Sequence, residues 1–427
     1  MMTTYRKLCV LAACLICTTL LLWANQTAAT VLEGPLELPT LIEEALAQNP
    51  SLQAVRKQWE ATREQIEQAT VLPDPTFGVQ LWNFPQNGNL ATSPGRAQNT
   101  IYTLAQKFPF PGKLPLKGEV ASRAAAISEQ TLRLQERDLI SRVKQAYMEL
   151  FFAHKDLEIH HEHVDVLQQL FDTAKSRFRT GKGSQVDVLK AQVELSTLYQ
   201  RIPVLEQQQS VMIAKLNTFL NREPRGPLGI PREPAATIPP QSLEDLERLA
   251  LSNRPELKVA ELAIEKSQHA QAYAERQYYP DFEVGVQRFQ NFQAVDGFGA
   301  IATVNIPFSF WTKHKYDAGV REAKAATAAA RAEHHSWQNL TRFQITEIAA
   351  KVHAQQQVAD LYRTTILPQA EQHFGAARTA YRTGKTGFLD VLEAERAVLE
   401  FRLAYYRGLV EREIQMAILE QIIGRAL

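Results

Sequence analysis

Two short stretches concentrate charge beside glycine: FRTGKGSQVDVLKAQ (Phe178–Gln192) and YRTGKTGFLDVLEAE (Tyr381–Glu395), 203 positions apart. Each sets an Arg-Thr-Gly-Lys turn ahead of an acidic helix start, with Asp187 in the first and Asp390 and Glu393 in the second. A carboxylate there can cap free N–H groups and complement the helix dipole, or it can line a passage and favour cations. Ser184 and Asp187 have capping-box spacing with Asp in place of Glu, whereas Glu393 lies a turn further on, where capping explains it less well. The basic residues Arg179, Lys182, Arg382 and Lys385, with Gly181 and Gly384, read either as a docking surface or as solvated turn charge.

Histidine offers a second chemistry. The runs HHEH at His160–His163 and HH at His334–His335 suggest metal, but a helix pair supplies two ligands where a firm site needs three or four. The expectation is solvated or interface-packed histidines, with His154 and His161 on the apolar seam, and no resident metal or cofactor. No P-loop, zincin, nucleophile elbow or dinucleotide fingerprint stands in the context its chemistry needs, so no enzyme is expected.

The elements that must position these residues are repeated too. LIEEALAQNPSLQAV from Leu41 is echoed 205 positions later by LERLALSNRPELKVA from Leu246, and DPTFGV at Asp74 by YPDFEV at Tyr279. The chain of 427 residues is therefore one unit written twice, residues 30–221 and 242–427, around a linker (222–241) whose prolines cannot continue a helix or a central strand. With 47 basic against 46 acidic residues, net +1 and evenly spread, it shows no electrostatic footprint for nucleic acid. Residues 1–29 read as an export signal holding all 3 cysteines, Cys9, Cys14 and Cys17. A rival lipoprotein cut before Cys14 would leave a greasy segment on the mature chain.

Between Glu119 and Thr180 there is no Gly or Pro, which allows a helical rod of about 90 Å. Apolar residues at Leu132, Leu139, Val143, Ala146, Leu150, Leu157, Val164, Leu167, Phe171, Ala174 and Phe178 step by 3, 4 and 7, a coiled-coil seam. Helical hairpins are expected over about 113–221 and 313–424, with the charged turns at their tips. Upstream the period falls to two: Phe77, Val79 and Leu81, then Phe282, Val284 and Val286, alternate with small or polar residues. Strands are expected near 75–85, 100–110, 281–293 and 299–310, with aromatics Trp82, Phe84, Phe289 and Phe292 near their ends, as in a membrane β-barrel. Four strands cannot close, and an open edge in lipid leaves backbone groups unpaired at several kcal/mol each. Eight strands from two chains would fill their own interior, so twelve from three is the smallest sharing that leaves a channel.

The paired hairpins, the LPDPTFGVQL strand and the two tips together resemble the TolC family of outer-membrane efflux proteins, over essentially everything after residue 36. The resemblance implies a mostly α-helical homotrimer with a membrane β-barrel portion of twelve strands, set in outer-membrane lipid, its helices reaching into the periplasm. It implies a passive exit duct served by a periplasmic adaptor and an inner-membrane pump, of the resistance-nodulation-division type in the heavy-metal cation branch, whose overall character this chain resembles. It also implies that Asp187, Asp390, Glu393 and Tyr381 form a pore gate; the RTGK turns, as exposed glycine turns at the tips, are read as the adaptor's docking surface. Phe178 is the counterpart of Tyr381, and packing explains both as ends of an apolar seam. The family's arginine just after the second tip glycine is Thr386 here, so its locking salt bridge is absent or replaced. Within the family a type I protein secretion channel stays open; outside it, a periplasmic coiled-coil scaffold leaves the alternating segments unexplained, and a periplasmic metal-binding protein is a third reading.

Overall fold

The computed structural model describes residues 36–82, 99–234, 242–291, 295–307 and 309–427. The export signal with its cysteines, Phe84, Phe292 and part of the linker lie outside the described residues. In chain order the elements are α1 (Leu38–Gln48), α2 (Pro50–Thr70), β1 (Thr76–Trp82), β2 (Asn99–Phe108), α3 (Lys113–Arg179), α4 (Gln185–Phe219), α5 (Leu243–Asn253), α6 (Pro255–Arg276), β3 (Phe282–Asn291), β4 (Gly297–Val304), α7 (Lys313–Leu361), α8 (Leu367–Thr383) and α9 (Phe388–Ile423).

Proline starts α2 and α6 at its tolerated position in the first turn, and Asn49 caps α2 by accepting from Ser51 and Leu52 N–H. Helix α3 is 67 residues long and buries two faces, because α4 packs along one side and α9 along the other. The seam is buried at Leu132, Leu139, Val143, Ala146, Leu150, Val164, Leu167 and Ala174, whereas Leu157 and Phe171 are half-buried and Phe178, at the tip, is 45% exposed. Packing therefore accounts for Tyr381 but not for Phe178. The buried histidines are His160 and His163, not His154 and His161: His163 meets Glu395 of α9, and His160 meets Asp156 one turn back on α3.

Two helices depart from regularity. Pro203 lies inside α4, where it removes one backbone hydrogen bond. Between α7 and α8 the residues Tyr362–Ile366 form a π turn, with Leu367 N–H donating to the Tyr362 carbonyl, which widens the helix just before Pro368.

The four strands make one antiparallel sheet in the order β1-β2-β3-β4. Register aligns Phe77 with Leu104, Leu104 with Val286, Phe108 with Phe282 and Phe282 with Val304. One face thus gathers a belt of exposed apolar residues, Phe77, Val79, Leu81, Leu104, Phe108, Val284, Val286 and Phe298, with Tyr102, Arg288 and Gln290 among them toward the end away from the helices. In water such a patch would be a liability, whereas lipid removes the penalty. The opposite face is largely polar, with Gln287 donating to Thr103 Oγ1 at 3.1 Å. Phe289 turns to this second face and covers Gly299, so it is no part of a lipid-facing girdle; the belt's aromatics are Phe77, Phe108 and Phe282 at the end nearest the helices and Phe298 at the other.

Sheet and helices are fastened across the two copies. Lys113, almost fully buried at the start of α3, donates to Asp281 Oδ1 at 2.7 Å and to the Tyr279 carbonyl at 2.8 Å, and Phe110 N–H donates to the same carboxylate. Tyr147 of α3 pins the linker by accepting from Arg232 N–H at 2.8 Å and donating to the Leu36 carbonyl at 2.9 Å. Each layer of this wall has two free borders. The sheet ends in β1 and β4; the upper helices run α2, α3, α6, α7; the lower ones run α4, α3, α9 and then α7 with α8. First-copy elements form one border throughout and second-copy elements the other. Both borders expose apolar side chains, Leu189, Val193 and Val204 on α4 and Phe343, Val358 and Leu361 on α7.

Candidate gate at the helical tips

The RTGK turns are helix terminators. In the first, Gly181 adopts φ 71 and Lys182 N–H reaches back to the Arg177 carbonyl at 2.9 Å; in the second, Gly384 adopts φ 79 and Lys385 N–H reaches the Ala380 carbonyl at 2.9 Å. This is the Schellman arrangement, which needs a left-handed residue at the glycine and satisfies carbonyls the helix leaves free. Arg179, Lys182, Arg382 and Lys385 are exposed and form no ion pair with another described residue.

The carboxylates behave differently in the two tips. Asp390 Oδ2 accepts from Gly387 N–H at 3.1 Å and from the Thr386 hydroxyl in a shorter contact; these bonds hold its carboxyl below the usual carboxylate range. Thr386, standing where the resemblance expected an arginine, thus serves the helix cap. In the first tip Ser184 Oγ accepts from Val186 N–H at 3.1 Å, but Asp187 does not complete the reciprocal half of a capping box. Its charge instead acts on Tyr381. That phenol is 2% exposed and packs edge-on against Phe388 at 5.5 Å. Burial, with Asp187 adding to it and Arg177 opposing, pushes the Tyr381 hydroxyl up to about 12. Asp187 is near enough to hold the phenolic proton electrostatically, yet among the described residues no acceptor meets Tyr381 Oη in hydrogen-bond geometry. Glu393 is exposed on α9, a turn beyond Asp390. The tips therefore bring Asp187 and Tyr381 together across the repeat and leave Asp390 and Glu393 on the second helix.

Arg177 and Glu395, which sequence reasoning passed over, lie nearby. Arg177 reaches from the last turn of α3 into the second tip. Higher on the same helix, His163 Nδ1 lies 2.5 Å from Glu395 Oε1 of α9, both almost fully buried. His160 is buried beside Asp156, where burial lowers its affinity for a proton but bonds to the Asp156 carboxylate and carbonyl raise it, the net shift being upward. Glu395 sits in the quoted tip stretch, yet only a three-dimensional pairing distinguishes it from Glu393.

A wall of helical hairpins under a small amphipathic sheet, with charged glycine turns at its far end, defines a class: outer-membrane channels that extend into the periplasm. The chain belongs to the outer membrane efflux protein family, whose profile matches residues 41–222 and 246–425, so it is a transport duct rather than an enzyme. It is 24% identical over 395 residues, 92% of this chain and 91% of the relative, to the cobalt-zinc-cadmium resistance protein CzcC of Cupriavidus metallidurans. The solved structure of the outer-membrane channel OprN superposes with a TM-score of 0.78 at 19% identity, covering 91% of this chain and 89% of that one. That of the outer membrane protein VceC from Vibrio cholerae gives 0.76 at 18% identity, covering 91% and 96%.

Proposed function

We propose that three copies close into a ring, each β4 pairing with the next chain's β1, as the exit duct of a tripartite system that exports heavy-metal cations. The carrying observation is that every layer ends in first-copy elements on one side and second-copy elements on the other. Such borders are complementary head to tail, and rotation by a third of a turn closes twelve strands without an edge. Outer-membrane lipid then covers the apolar belt. A periplasmic adaptor docks on the exposed, unpaired Arg179, Lys182, Arg382 and Lys385, and an inner-membrane pump of the resistance-nodulation-division type delivers the cargo. The relation to CzcC supports metal cations as that cargo. With Asp187, Asp390 and Glu393 ringing the mouth, the gate attracts cations rather than anions.

The test is single-channel conductance of detergent-purified protein in a planar bilayer, with oligomer mass taken on the same sample. A conducting trimer is expected; a non-conducting monomer would end the reading. Docking has its own check. Gly384→Val places a β-branched residue at φ 79, a strain of at least about 1 kcal/mol that reshapes the turn, and is expected to weaken crosslinking to the adaptor severalfold. Undiminished crosslinking would move docking off the tips.

A further inference from the structure

We propose that Arg177 is the latch joining the two tips of one chain, and that the channel opens only when its guanidinium leaves the second tip. The proposal deepens the channel reading and rests on it. Arg177 Nη1 donates to the Tyr381 carbonyl in a short contact and to the Arg382 carbonyl at 3.2 Å, while Nη2 donates to the Lys182 carbonyl of its own tip at 2.9 Å. The same guanidinium lies 4.8 Å from the centroid of the Tyr381 ring. One side chain therefore binds the C-terminal turn of α8, the turn after α3 and the aromatic residue between them.

The chemistry suits this task. The final carbonyls of a helix are its unsatisfied acceptors and the negative end of its dipole, so a cation is favoured there. A planar guanidinium with five donors can serve two backbones at once, which a lysine ammonium on its flexible stem cannot do in a fixed geometry. Hydrogen bonds from a charged donor are the stronger kind, and no carboxylate of the described residues lies within 4.0 Å to compete for the guanidinium. The fit is close on both sides: a Cβ on Gly183 would come within 2.9 Å of Arg177 Cβ, and one on Gly384 within 3.4 Å of Arg177 Nη2. The first turn therefore has no room for a side chain at 183, while glycine at 384 is required by its left-handed backbone and leaves the guanidinium in ordinary contact. Because the acceptors are main-chain atoms, no side-chain partner marks this contact in the sequence.

The experiment compares wild type, Arg177→Ala and Arg177→Lys in planar bilayers, with trimer mass and helical content measured on each sample. Open probability is expected to rise about tenfold or more in Arg177→Ala, and to rise also in Arg177→Lys, which keeps the charge and the stem but not the fork. Trimers of either variant that gate like wild type would overturn the latch. If Arg177→Ala fails to assemble, Arg177→Lys decides. A wild type that never conducts refutes the channel reading itself, which separates that failure from this one.

Discussion

Replacing Glu395 with alanine is expected to lower the unfolding free energy by about 2 kcal/mol or more, the usual result of leaving one member of a buried hydrogen-bonded pair without its partner. Its carboxylate and the His163 imidazole face each other from α9 and α3, at 3% and 5% side-chain exposure, so removing the acid leaves the imidazole buried without its partner. The double replacement His163→Leu with Glu395→Leu is expected to recover most of that loss, because two apolar side chains of similar volume suit the surrounding core of Val164, Leu167 and Leu392. Denaturant midpoints of the four proteins of the cycle decide the matter. Equal losses in the single and double variants would mean that packing, not the pair, holds the helices here.

The second large effect concerns ion selection. Asp390→Ala with Glu393→Ala removes two charges per chain from the helical tips, and on the proposed reading the reversal potential under a salt gradient is expected to fall by roughly half. Asp390 also caps α9, so the alanine change alone confounds charge with shape. Asp390→Asn separates them, since its amide oxygen still accepts from Gly387 N–H and Thr386 while the charge is gone. Selectivity that falls in the asparagine variant too assigns the effect to charge. An unchanged reversal potential in the double alanine variant would remove these acids from the gate.

Much of this architecture was readable in advance because it is periodic or repeated. Alternation in PTFGVQLW and DFEVGVQRF yielded strands whose register brings Phe77, Val79, Leu81, Phe282, Val284 and Val286 to one face, and Gly181 and Gly384 are left-handed terminators as their RTGK setting implied. What escaped reading depends on contacts between the copies. His163 and Glu395 are 232 positions apart, and Arg177 binds carbonyls, which every residue possesses. The burial of His160 and the exposure of Phe178 follow from α3 having neighbours on two sides, whereas a heptad count describes a helix with one seam. Asp187 beside Tyr381 likewise depends on how the two turns meet, whereas Thr386 in the cap is a contact four residues along within the second tip.

Pro203 and the π turn before Pro368 share one property: they fall in α4 and in the α7–α8 rod, the border helices, while the central parts of α3 and the whole of α9 lack proline. In the ring proposed above, each chain is then a stave with a stiff spine and compliant margins. Such a cask widens along its length by flexing at its joints, so dilation there is shared among three seams, and only the latched tips have to move within a stave.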